Sequence, residues 1–360
     1  MTKVAIICGA GSTLSDAGSA KAADRPPLDS GFFKACRRLK LNEFEEVSDC
    51  IQNAYGIDVC SKSEDSLERI MAVLYSDLLN PAVTTTEAAD AFRAYLRLIN
   101  RRIAETTNKI APSQKSYLYR MVRSLILDHS VSPHDISFIT FNYDLHIERT
   151  LNALQRSSSI KKSLRPLFTF PHCYKLSGHK QSSPPKSAQK FSTAETAFSG
   201  IEVLKLHGSL NWFSVHETDA PSPHDLIRKD HNLWITSRQK MTIDMTITID
   251  KKRRYTFPLV VPPVVNKASI LHDSMAEIWK RALDCLKEAN KVVVYGYSCP
   301  QADQESANLI TRALRNSSKL DDLSIVDPST TAFDRFASLT NSNVIHYYRN
   351  AKAYLSHQAT

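Results

Sequence analysis

The chain has 360 residues, 42% hydrophobic and 23% charged, with a formal charge of +9, a size and balance suited to a globular protein with a substantial core. No apolar run approaches the ~20 residues that span a bilayer, and the run before Gly9 is too short for a signal-peptide core, so a cytoplasmic protein without membrane attachment is expected. Seven scattered cysteines without a C-x-x-C pair argue against a disulfide framework or a structural zinc module and read as ordinary reduced thiols.

The first element is the apolar run Val4 to Cys8, which enters Gly9-Ala10-Gly11-Ser12 and then a small-residue turn at Asp16-Ala17-Gly18. That is a strand running into a glycine-rich loop. From about residue 32 to 130 no convincing strand appears. Three apolar stripes at helical spacing do: Leu67, Ile70, Met71, Leu74 and Leu78, after a start at Ser63-Glu64-Asp65; Phe92, Tyr95, Leu96, Ile99 and Ile103; and Leu118, Met121, Val122 and Leu125. They predict helix packing and nothing more.

A strand at 136–141 follows, ending on Asn142-Tyr143-Asp144, with a helix over about 145–155. Residues 156–199, rich in Ser, Lys and Pro, read as a long surface loop. The stretch 201–213 reads as a strand that ends at His207-Gly208. The Thr/Ile alternation within 240–261 suggests a β-hairpin outside the main sheet. An amphipathic helix carries Met275, Ile278, Trp279, Ala282, Leu283 and Leu286 and feeds the apolar strand at 291–298. A helix at about 303–315, a strand ending at Asp327, a short helix, a strand before residue 349 and a terminal helix complete the chain.

Strands alternating with helices imply an α/β fold: a doubly wound parallel, Rossmann-like sheet with an inserted helical domain. Residues 1–34 and 131–360 would form the sheet domain, and 35–130 the helical insertion. The basic clusters Lys161-Lys162 and Lys251 to Arg254 read as solvated loop or hairpin tips. Contact with nucleic acid or an acidic partner is the alternative, but no aromatic-interleaved motif supports it.

Such sheets bind ligands at the carboxyl ends of their strands. The polar residues there are Gly9, Gly11 and Ser12; Asn142 and Asp144; His207, Gly208 and Ser209; Gly296 and Ser298; and Asp327. Each has a bland account. Gly-Ala-Gly-Ser can be a tight turn, or a loop whose amides approach a pyrophosphate. Asn142 and Asp144 can cap the next helix. His207 can be a satisfied core histidine, Gly296 and Ser298 an ordinary turn, and Asp327-Pro328 a turn opener.

Together and in this order, G-A-G-S, F-N-Y-D, L-H-G-S-L-N-W, G-Y-S and a strand ending in Asp resemble the sirtuin-like (silent information regulator) family. The bacterial antiphage-defence branch is nearer than the protein deacetylases. The resemblance covers about 1–34, 131–155 and 200–335, and leaves the helical block outside except as an insertion. It implies a phosphate-binding loop for NAD at Gly9, Ala10, Gly11 and Ser12. It implies that Asn142 holds the nicotinamide ribose and positions water, that Asp144 faces the carboxamide, and that His207 is the general base. Gly208 and Ser209 would also adjoin the cofactor, Gly296 and Ser298 would underlie the second ribose and phosphate, and Asp327 would contact the adenosine. No metal is implied.

Two departures bear on activity. The four-cysteine zinc module of the deacylases is absent, and the segment after the glycine loop reads AADRPPLDSGFF, with Asp24, Arg25 and Phe32 or Phe33 as loose counterparts of the family's residues. Both favour simple NAD⁺ hydrolysis, with NAD as substrate. The resemblance implies an antiphage effector that depletes NAD⁺. Because the chain ends soon after the sheet, the expected trigger is another protein: a HerA-type ATPase first, an Argonaute-like protein or other sensor second. A homo-oligomer is expected, with nucleic acid reached through the partner. The alternatives are a protein deacylase or ADP-ribosyltransferase, a non-catalytic NAD or ADP-ribose-binding scaffold, and, from charge alone, a nucleic-acid-processing subunit.

Overall fold

The computed structural model describes residues 2–18, 20–21, 24–61, 66–80, 86–170, 172–174, 188–190, 200–222, 233–236, 246–249, 251–261, 273–301, 303–315, 317–340 and 344–358. β1 (Val4–Cys8) leads into α1 (Ala10–Asp16). Next come α2 (Phe32–Arg38), α3 (Asn42–Tyr55), α4 (Leu67–Leu79), α5 (Thr86–Thr107) and α6 (Tyr117–Leu127), then β2 (Ile136–Thr140) and α7 (His146–Arg156). β3 (Ala188–Lys190), β4 (Glu202–Lys205), β5 (Gly208–His216), β6 (Leu233–Thr236), β7 (Thr246–Ile249) and β8 (Lys252–Val260) follow. The chain then forms α8 (Asp273–Glu288), β9 (Lys291–Tyr295), α9 (Gln304–Leu314), β10 (Asp322–Val326), α10 (Thr330–Leu339), β11 (Ile345–Tyr348) and α11 (Ala351–Gln358).

The main sheet is parallel throughout, in the order β11-β10-β9-β1-β2-β4, so the doubly wound expectation holds. Val4 pairs with Ile136 on one side and Lys291 on the other. β1 is buried along its whole length because helices cover both faces, which is why it can be aliphatic without alternation. From β1 the chain first builds outward through β2, and later returns on the other flank as β9. Strand order therefore reverses at β1, the position where ligands of such sheets are taken.

The stretch 201–213 is not one strand. β4 ends at Lys205, Leu206 and His207 turn, and β5 begins at Gly208 in a second, antiparallel sheet ordered β3-β6-β5-β8-β7. The cause is Gly208, whose φ is +82°; a Cβ there would lie 2.2 Å from the Leu259 carbonyl oxygen of β8. The expected hairpin is β7–β8, with Lys251 in the left-handed region at its tip and Lys251 to Arg253 exposed. Residues 240–245, with which that expectation began, lie outside the described residues.

Among the described residues two large apolar cores form, with a small third cluster of Phe213 and Trp234 in the antiparallel sheet. One surrounds the parallel sheet; the other joins α2–α5 to Tyr143, Leu145, Leu210, Phe257 and Val260. α6 packs into the sheet's core, although its sequence lies in the 35–130 span, and Phe32 and Phe33 pack into the helical one. Apolar stripes announce that a helix packs but not onto which neighbour. Likewise Ile160, Leu167, Phe168, Cys173 and Tyr174, within the stretch expected to be a surface loop, are buried in the sheet's core. The rest of that stretch, 175–187 and 191–199, lies outside the described residues, as does the helix start at Ser63 to Asp65. α4 is capped instead by Ser66, whose Oγ accepts the Arg69 amide at 3.2 Å. Among the described residues no helix is long and apolar enough to cross a membrane.

Candidate active site

The glycine loop after β1 is locked to the turn after β9. The Gly9 amide donates to Tyr295 O at 3.2 Å, and the Gly11 amide to Gly296 O at 3.0 Å. A Cβ at Gly9 would stand 2.5 Å from Gly296 O, and one at Gly296, where φ is +61°, 2.3 Å from the Ser12 nitrogen. Backbone lies on backbone here, so only glycine fits. The Ser12 amide returns to Gly9 O at 2.9 Å, and its hydroxyl donates to the same oxygen at 2.7 Å. Three amides of the expected phosphate cradle are therefore given to the protein itself, and Ser12 points inward rather than toward a ligand. Ala10's amide has no backbone acceptor of this kind.

The F-N-Y-D turn is held from both sides. Asn142 Nδ2 donates to Gly9 O at 2.9 Å and comes within 3.4 Å of Ser12 Oγ and 3.3 Å of Thr13 Oγ1. Asp144 Oδ1 accepts the His146 amide at 2.9 Å, one residue before the N-cap position, which Leu145 holds, while Oδ2 accepts the Thr13 hydroxyl at 2.9 Å. Behind the turn lies Lys205, on β4 and fully buried. Its Nζ donates to the carbonyls of Asn142, at 3.2 Å, and Asp144, and pairs with Glu148 Oε1 at 3.3 Å. The Tyr174 hydroxyl also donates to Glu148 Oε1, at 2.8 Å. Burial, then the Glu148 carboxylate, pushes that phenol's ionisation far above its ordinary range.

His207 lies in the turn between the two sheets. Its carbonyl accepts the Val261 amide at 2.8 Å, while the Trp279 indole donates to Leu206 O at 3.1 Å. The ring is 2% exposed and packs edge-on against Phe141, centroids 5.1 Å apart, with Tyr143 6.4 Å away. Phe141 in turn stacks on Tyr297 at 4.0 Å. A polar neighbour of the imidazole is Asp303, with Nε2 3.0 Å from Oδ2. Sequence reading did not assign Asp303. Its local signal, an acid at the start of α9, announces only a cap.

A cavity of about 310 Å³ opens at the carboxyl edge of β1, β2 and β9. Its walls include Gly9, Ala10, Gly11, Asn142, Asp144, Gly296 and Ser298, so seven candidates converge there. The others do not line it. Ser12 and His207 are buried behind it. Gly208 and Ser209 begin β5, where the Ser209 hydroxyl serves Asn211 and Tyr143 O. Asp327 directly follows β10, with Oδ1 accepting the Ser329 amide at 2.9 Å. The loose counterparts are elsewhere too: Asp24 pairs with Lys109, Arg25 is exposed, and Phe32 and Phe33 are buried in the helical core.

The helical block, expected to stand apart, supplies Leu67, Glu68, Ile103 and Thr107 to the walls, and the segment Pro26 to Ser30 closes another side. Asp29 ties that segment to α4 by accepting the Ser66 hydroxyl and, at 2.8 Å, the Glu68 amide. No local signal marks these residues; 37 positions separate Asp29 from Ser66. Tyr143, between the two candidates of the F-N-Y-D turn, is also a wall residue. Among the described residues no cluster of His, Cys, Asp and Glu side chains could hold a metal ion.

No protein-family model and no curated protein matches the chain. Solved structures do. Sir2Tm bound to a propionylated peptide aligns over 99% of this chain and 90% of its own, at 11% identity and a TM-score of 0.40. A mutant Sir2 homologue in complex with ADP ribose gives the same coverage at 13% identity and a TM-score of 0.44. A Sir2–p53 peptide–NAD+ complex aligns over 99% of this chain and 91% of its own, at 11% and 0.40. At such identities the likeness is one of chain course and assigns no residue a role.

Proposed function

We propose that this chain is an NAD⁺ glycohydrolase, cleaving NAD⁺ to ADP-ribose and nicotinamide. The observation that carries the reading is the position of Asn142: a carboxamide in the wall of a cavity at the strand-order reversal, opposite an interlocked glycine loop. The cavity's volume is at the lower end of small-molecule sites, ~300–1,000 Å³.

The chemistry asks little of the protein beyond placement. Breaking the bond between C1′ and nicotinamide builds positive charge on the ribose, and the leaving group departs neutral. The site must hold the ribose, seat the nicotinamide and deliver water. Asn142 can both donate and accept, so it can orient a hydroxyl or water. His207, adjoining the wall through Phe141 and Tyr143, is the residue that can take the proton. An imidazole shut behind those rings suits an enzyme kept inactive until triggered, because uncontrolled NAD⁺ loss is toxic.

From the family resemblance we further propose an effector of bacterial antiphage defence that acts by NAD⁺ depletion. Its trigger would be a HerA-type ATPase or an Argonaute-like partner. The helical unit and the exposed Lys251–Arg253 tip are the surfaces offered for assembly, including homo-oligomers. The test is nicotinamide release from NAD⁺, with and without the partner, for the wild type, Asn142→Ala and His207→Ala. Release by the wild-type complex and at least ~10²-fold less by either variant is expected; equal release by the variants would remove both residues from the site. The burial of His207 also favours a second reading, a non-catalytic NAD or ADP-ribose-binding subunit, which tight NAD⁺ binding without nicotinamide release would establish.

A further inference from the structure

Asp303 is more than a helix cap. It heads α9, where Oδ1 accepts the Ser306 amide at 3.3 Å and Oδ2 accepts the Ser306 hydroxyl at 2.5 Å. The Tyr297 hydroxyl reaches Oδ2 at 3.4 Å. The carboxylate is thus held by its own helix and cannot turn away. The same Oδ2 meets His207 Nε2 at 3.0 Å, with the two side chains 2% and 0% exposed. Two bare acceptors facing each other in a buried place would repel, so one proton belongs between them; on Nε2 it leaves the carboxylate to accept from Ser306 as it does here. Among the described residues, Tyr143, Tyr297 and Cys299 are neighbouring titratable groups. Burial, more than Asp303, raises the ionisation of each, so all three stay neutral near pH 7. Glu68 and Asp29 lie beyond Tyr143, and Arg335 beyond Cys299.

We infer that Asp303 is the positioning residue for His207: it fixes the Nε2–H tautomer, makes Nδ1 the nitrogen that accepts a proton, and stabilises the imidazolium that results. The enzymatic consequence rests on the hydrolase reading above; the tautomer does not. In that reaction the water oxygen bonds to C1′ as the C1′–N bond breaks and its electron pair leaves with nicotinamide. The water's proton passes to Nδ1. The imidazolium keeps its Nε2–H on Asp303 and later returns the extra proton to solvent.

The full-length protein, labelled with ¹⁵N in its histidines, tests this directly. The His207 ring signals are those missing from His207→Gln. In the wild type Nε2 should be the protonated nitrogen and Nδ1 the bare one; a proton on Nδ1 overturns the inference whatever any variant does. In Asp303→Asn the side-chain oxygen stays with the Ser306 amide, so the new NH₂ faces His207. The tautomer should reverse, and the titration midpoint should fall by about one pH unit or more. An unchanged tautomer and midpoint in the folded variant also overturn it. With NAD⁺ and the partner, Asp303→Asn should lose about 10²–10⁴-fold in kcat with little change in KM. Asp303→Glu should restore part of the rate and the wild-type pH profile. If the wild type releases no nicotinamide, the hydrolase reading fails and the ring signals alone decide on Asp303.

Discussion

Lys205 Nζ sits 3.2 Å from the main-chain carbonyl of Asn142, on a side chain that is 1% exposed. A buried ammonium is costly unless neutralised and fully hydrogen-bonded. Here Glu148 neutralises it, and two carbonyls of the F-N-Y-D turn take its remaining protons. The lysine of the L-K-L-H-G stretch therefore holds in place the turn that carries Asn142.

Lys205→Met should accordingly cost about 3–5 kcal/mol, because it leaves Glu148 charged and buried. Urea denaturation measures this. Lys205→Met combined with Glu148→Gln should be more stable than the single variant; if the double is no better, the uncompensated carboxylate is not the cause.

Gly296→Ala should destabilise more than Gly18→Ala. Both glycines have positive φ, but a Cβ at Gly18 meets nothing within 4 Å, whereas at Gly296 it strikes the Ser12 nitrogen at 2.3 Å. Gly18→Ala should cost about 1 kcal/mol from its left-handed backbone alone. Gly296→Ala adds a clash with rigid backbone and should cost at least about 2–3 kcal/mol. Equal shifts in thermal midpoint would show that the two loops do not interlock.

Asp327 should make stability depend on pH with an unusual sign. Burial raises its carboxyl's pKa above the ordinary value, outweighing the Ser329 amide that favours the charged form. A carboxyl whose folded pKa is raised contributes stability below its unfolded pKa of about 3.9 and loses it as pH rises through the folded value. Asp327→Asn keeps the amide's acceptor and removes that loss. The variant should gain stability relative to wild type as pH is raised from 4 to 7, read from denaturation midpoints along the series.

None of the seven cysteines is in a disulfide; six are buried, and Cys50 is the partly exposed one. Burial pushes the Cys285 and Cys299 thiols up to about 11, so neither forms appreciable thiolate near neutrality. Native labelling with a disulfide reagent at pH 8 should show one accessible thiol, and Cys50→Ser should abolish that phase. Rapid labelling of a second thiol would contradict the burial of the others.

Much of this architecture was legible along the chain. Val4 to Cys8 and the run from Lys291 to Tyr295 could only be covered parallel strands, because aliphatic runs without alternation need both faces buried. Gly9, Gly11 and Gly296 were visible as turns. That one of them holds another in place was not, because each local turn looks alike whether its neighbour is solvent or backbone. The strand read from 201–213 was expected to end at His207-Gly208, and β4 ends just before that turn; that the chain continues in a second sheet was not legible, because the stretch is apolar on both sides of Gly208 and only contact with Leu259 shows the change of sheet.

The sequence by itself determined the alternation of strands and helices, hence the parallel sheet, and the polar residues that end its strands. Those follow from short-range rules of periodicity, turn chemistry and capping. Only the tertiary structure decided which of those residues share a cavity and which turn away from it. It joined Glu68 and Thr107 of the helical unit to Asn142, set Lys205 beneath the turn, and brought Asp303 to His207 across 96 positions of chain. The physical reason is that buried charge must find a partner at any sequence distance, and no local pattern records which partner it finds.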